Sequence, residues 1–171
     1  MTSAPCRQGV MRLDDLGVAA ASGLLARYRV ELVEVDAGAP IPHSFWGAPE
    51  AGLRGAALYA RLDTPVHSLL HELGHVVCMS SGRRSSLVRD AGADDDEECA
   101  VCYLQVLLAD WLPAFGRSRC FDDMDAWGYS FREGSARRWF AGDGANARAW
   151  LEARGLIDAA TTIPTWRLRS D

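Results

Sequence analysis

The segment His71-Glu72-Leu73-Gly74-His75 constrains this chain more than any other feature of it. Residues four apart on a helix share a face, so His71 and His75 can offer imidazole nitrogens to one metal ion. The flanking residues repeat with helical period: Val66, Leu69, Leu70, Leu73, Val76 and Val77 are apolar. Thr64-Pro65 supplies a capping hydroxyl and then a proline for the first helical position. A helix is therefore predicted from there to about Ser80, stopped at Gly82. Two histidines and a glutamate without partners in so apolar a helix would be costly to desolvate. The segment thus reads as a metal site rather than a chance spacing.

Glu72 is turned by about 100° from His71. It borders the metal without easily joining it, which is the arrangement of the H-E-x-x-H rule. A catalytic zinc takes three protein ligands and keeps a position open, and a neighbouring carboxylate can take a proton from water as general base. No histidine follows His75, so the third ligand must be Asp, Glu, Cys or an upstream histidine such as His43. The next long helix, predicted from about Asp95 to Trp111 and ended by Pro113, opens with Glu97-Glu98-Cys99. From Glu97 an apolar stripe runs through Ala100, Val101, Leu104, Leu108 and Trp111. From Glu98 a more polar one passes Cys102, Gln105 and Ala109. Glu97 is the expected third ligand and Glu98 the alternative. Cys99 and Cys102 form a C-x-x-C pair, but without a second pair they read as small helix residues. His67, one turn before His71, is either an exposed first-turn residue or a neighbour of the site.

The remaining pattern predicts one α+β domain over residues 1–171, with a core at about 28–113 and a helical extension at about 119–158. A helix is expected over Leu13–Arg27 and strands over Tyr28–Asp36 and Ala56–Leu62, the second short and at an edge. Residues 38–55, with Pro40, Pro42 and Pro49, predict a long loop. Arg83–Asp96 is expected to be polar and flexible. Shorter helices are expected at Asp122–Phe131, Ser135–Ala141 and Ala145–Arg154, and a loosely held tail from Thr161. The implied architecture is a small mixed or antiparallel sheet on the histidine helix and a second ligand-bearing helix. With a net charge of −5, no overall field draws the chain to nucleic acid or an anionic membrane. The first ten residues lack the apolar core of a signal peptide, and no stretch approaches the ~20 apolar residues of a membrane helix. Five cysteines at no framework spacing predict reduced thiols in a cytoplasmic protein.

At this point the pattern resembles the ImmA/IrrE family of bacterial metallopeptidases, related to the gluzincins. Its members pair H-E-L-G-H with a downstream helix of the form E-x-x-A-N-x-F-A-x-x-L-L-x-P. Glu97, Ala100, Tyr103, Leu107 and Leu108 fall at matching spacings, with Val101 in place of the Asn and Pro113 a few residues late. The likeness covers about Tyr28 to Pro113. It implies a zinc peptidase acting on a peptide or protein substrate, or a regulatory protein of the same build. Three functions follow as expectations. The leading one is peptide-bond hydrolysis with zinc on His71, His75 and Glu97, Glu72 as base, the edge strand Leu58–Leu62 pairing with substrate, and Tyr103, Tyr129 or an arginine steadying the oxyanion. The others are a regulatory or binding module retaining the metal, and a different metal enzyme such as an iron oxygenase using two histidines and a carboxylate.

Overall fold

Gly17, at φ 94°, divides the first predicted helix into α1 (Leu13–Leu16) and α2 (Val18–Ala26). Only a residue without Cβ takes that backbone conformation readily. The computed structural model describes residues 9–87, 92 and 94–171. After α2 come β1 (Glu31–Glu34), β2 (Gly52–Arg54) and β3 (Ala57–Ala60), then α3 (Val66–Cys78), α4 (Ser81–Ser86), α5 (Asp95–Ala109), α6 (Gly116–Trp127), α7 (Ala136–Ala141) and α8 (Ala145–Ala153). The class is α+β. Among the described residues no helix is long and apolar enough to cross a membrane.

The sheet corrects one expectation. Its order is β1-β3-β2, so the strand expected at the edge is the central one. β3 pairs in parallel with β1, Leu58 opposite Leu32, and antiparallel with β2, Leu58 opposite Leu53. β2 lies inside the predicted loop. It is three residues long and follows a proline-rich run, so no alternation of its own announces it. Gly52 packs against the Pro42 carbonyl so closely that a Cβ could not be placed there.

α3 begins at Val66, with Pro65 as its cap, and ends at Cys78 rather than Ser80. The Ser80 side chain accepts the Arg83 N–H and starts α4, so Gly82 lies inside a helix instead of ending one. Arg84 donates from Nε to the Val76 carbonyl and from Nη2 to that of Met79, satisfying carbonyls that the end of α3 leaves free. The rest of the segment expected to be flexible falls largely on residues 88–91 and 93, outside the described ones. Asp94 caps α5 by accepting the Glu97 N–H at 2.9 Å, and the acidic first turn suits the helix dipole.

The tail from Thr161 is docked, contrary to expectation. Thr165 donates its N–H to the Leu156 carbonyl, and Arg169 donates its own to that of Val77, both at 3.0 Å. Trp166 lies under the Arg27 guanidinium and against Tyr28. Sparse apolar residues hid this docking, because cation–π contacts and main-chain bonds leave no periodic signal.

α3 packs directly on α5. A Cβ on Gly74 would stand 2.9 Å from Val101 Cγ1 and 3.3 Å from its carbonyl oxygen. The glycine of the histidine segment is therefore set by this close helix approach. Gly74→Ala is expected to destabilise the protein by about 1–3 kcal/mol through overpacking, despite alanine's better helix propensity. Chemical denaturation checks this, and an unchanged midpoint would contradict it.

Candidate metal centre

The stripe of α3 facing α5 carries His71 and His75 one turn apart, and their Nε2 atoms lie 3.2 Å from each other. Glu98, in the first turn of α5, completes the triangle. Its Oε1 is 3.1 Å from His71 Nε2 and its Oε2 is 3.5 Å from His75 Nε2. Two zinc ligands about 2.1 Å from the metal at a tetrahedral angle stand about 3.4 Å apart. Each of these pair distances is close to that value, with the carboxylate reaching the two histidines through different oxygens. Among the described residues this is the group of His, Cys, Asp and Glu side chains that can hold a metal ion.

A second layer fixes the chemistry of His71. Gln105, fully buried, donates from Nε2 to the His67 carbonyl at 2.8 Å. That bond determines which way the amide points, so its Oε1 must face His71 Nδ1, 3.1 Å away. His71 Nδ1 is therefore a protonated nitrogen, which would leave Nε2, 3.1 Å from Glu98, as the nitrogen offered to a bound metal. An outer partner of this kind is how proteins fix the tautomer of a ligating histidine. Gln105→Ala is expected to keep the fold and to weaken zinc about 10- to 100-fold, measured by competition with a chelator. Wild-type affinity in that variant would remove Gln105 from the site.

Glu97, the first choice for third ligand, stands elsewhere. Its carboxylate is 4% exposed and accepts from Arg83 Nη1 at 2.8 and 2.9 Å and from Arg169 Nη1 at 3.2 Å. The apolar stripe below it faces the core, and a ligand has to face an opening instead. Glu98 does so: it lines the cavity with Cys102, while Gln105 on the same stripe is buried. Burial raises the Glu98 carboxyl, but the two histidines outweigh it and hold it below its ordinary range. Of the other candidates, His43 lies against the Tyr59 ring, and Cys99 and Cys102 do not join the donor triangle. His67 is buried, not exposed, with Nδ1 3.3 Å from the Tyr129 hydroxyl.

A cavity of about 460 Å³ opens on this group, with His71, Glu72, Glu98 and Tyr129 in its wall. Burial pushes the Glu72 carboxyl up to about 7, helped by Glu50 and Glu98 and opposed by His71. Its pKa thus lies in the range that suits a general base near neutral pH. The Tyr129 phenol is pushed up by burial and stays a hydrogen-bond donor. Tyr103 instead stacks on Phe140, at 4.2 Å between centroids. Gln105 had a sequence signal, as a polar residue inside an apolar helix. Glu50 and Trp127, which also line the cavity, had none. Comparison of the chain with protein-family models, with curated proteins and with solved structures finds no match.

Proposed function

We propose that this chain is a zinc-dependent, metallopeptidase-like hydrolase. The observation that carries the reading is the convergence of His71 Nε2, His75 Nε2 and the Glu98 carboxylate, with Glu72 in the wall of the same cavity. The donor set, two neutral imidazoles and a carboxylate, fits zinc. When bound, zinc supplies Lewis-acid chemistry: it polarises a carbonyl oxygen and acidifies water. Glu72 takes the proton as water adds to the scissile carbonyl, then returns it to the leaving amine as the C–N bond breaks. Tyr129 donates toward the developing oxyanion. The likeness to the ImmA/IrrE family belongs to the same proposal. Its H-E-L-G-H segment fits, while the acidic ligand lies one residue later than the family spacing places it.

The test is a peptide-library screen with zinc-loaded protein. Cleavage of at least one sequence, abolished by a chelator and restored by zinc, is the expected result. A library left intact by protein carrying stoichiometric zinc would overturn the hydrolase reading in favour of a metal-holding regulatory module.

A further inference from the structure

The wall of the cavity also carries a group that metal binding and hydrolysis do not use. Glu50 lies there, and the Trp127 indole N–H donates to its Oε1 at 2.6 Å. Trp127 is itself buried, 9% exposed, so it anchors the carboxylate firmly. Among the described residues nothing hydrogen-bonds or ion-pairs with the second oxygen of Glu50, and Glu50 lines the cavity. Trp46 stands at the same opening and is 77% exposed, in edge contact with Phe45, which is 54% exposed. Large aromatic rings left in water at the rim of a cavity mark a contact surface for a ligand.

Charge decides what kind of ligand. Among the described residues lining the cavity, three are glutamates, and the basic one is His71, which faces Glu98. Glu98 faces the two histidines and Glu72 borders them, so their charge is committed on that side. Among the described residues the partner of Glu50 is an indole dipole. No arginine among the described residues lines this wall. A carboxylate held by one indole N–H, with the exposed Trp46 ring lining the same cavity, can recognise a cation by a charge-assisted hydrogen bond and a cation–π contact.

We propose that Glu50, with Trp46 and Trp127, forms a subsite for a positively charged group of the substrate. This rests on the hydrolase reading and names its substrate class: a peptide carrying an ammonium or guanidinium within a residue or so of the scissile bond. The cation is either the free α-amine or a Lys or Arg side chain. Glu50 is here a specificity-determining residue, outside the proton transfers assigned to Glu72.

Binding tests this without relying on turnover. The probes are leucine amide, N-acetyl-leucine amide, N-acetyl-arginine amide and N-acetyl-citrulline amide, titrated into zinc-loaded protein. The readout is the indole N–H resonance of Trp127, assigned through Trp127→Phe. At least one cationic probe is expected to bind about tenfold tighter than its neutral counterpart and to shift that resonance. Preference for leucine amide identifies the α-amine, and preference for the arginine probe identifies a side chain. Glu50→Gln is expected to abolish the preference while keeping zinc. Equal binding of charged and neutral probes, or a preference that survives Glu50→Gln, overturns the subsite. Cation-selective binding without any peptide cleavage would sink the hydrolase reading and leave the subsite standing. Cleavage without cation preference would do the reverse.

Discussion

Glu72→Gln is expected to keep the fold and a full complement of zinc and to lower peptide turnover by about 10²- to 10⁴-fold, the range of a lost general base. The amide is isosteric with the acid, and Glu72 is half-buried in a cavity wall rather than packed in the core. Among the described residues it makes no ion pair that the change would break. What the substitution removes is the ability to accept a proton. The effect should fall on kcat, because the carboxylate acts as water adds and not in holding substrate. Single-turnover rates with zinc content measured on the same sample check this. Turnover at the wild-type rate would make Glu72 a bystander, and loss of zinc would make it a ligand.

The two adjacent glutamates should separate cleanly. Glu98→Gln is expected to leave stability nearly unchanged and to weaken zinc by more than about 100-fold, beyond what an outer partner contributes. Glu97→Gln is expected to keep zinc and to destabilise the fold by about 3 kcal/mol. That figure is the low end for breaking a buried ion pair, because Arg83 is 40% exposed and water can replace part of what it loses. Arg169 also holds Glu97, so the variant loosens the tail from α3 and α5. Thermal unfolding and chelator competition on both variants read the two effects. Zinc lost from Glu97→Gln at unchanged stability would return the third ligand to Glu97.

The two histidines, their helix and the α+β class were legible because each rests on a local rule. The i, i+4 spacing and the apolar period lie within one stretch of chain, whereas the expected Thr64 cap is not made: Pro65 is the N-cap and Thr64 Oγ1 accepts the Arg61 N–H. The acidic member of the candidate metal group was legible only as a pair of neighbours. Choosing between Glu97 and Glu98 needed the partners Arg83 and Arg169, which come from α4 and from the far end of the chain. An apolar stripe shows which side of a helix meets the core, and a buried carboxylate there is held by arginines as readily as by a metal. The sheet order failed for a related reason. β2 is defined by its pairing with β3 and by the closeness of Gly52 to Pro42, both tertiary facts. Trp127 and Glu50 are 77 positions apart and meet through one hydrogen bond that no sequence pattern encodes.

The central claim is that α3 and α5 hold one metal ion between them. Elemental analysis of protein reconstituted with zinc and cleared of excess by gel filtration tests it most directly. One zinc per chain is predicted for the wild-type protein and none for His71→Ala at unchanged fold, judged by circular dichroism. Wild-type protein that emerges without zinc, or a folded His71→Ala that keeps it, would contradict the account.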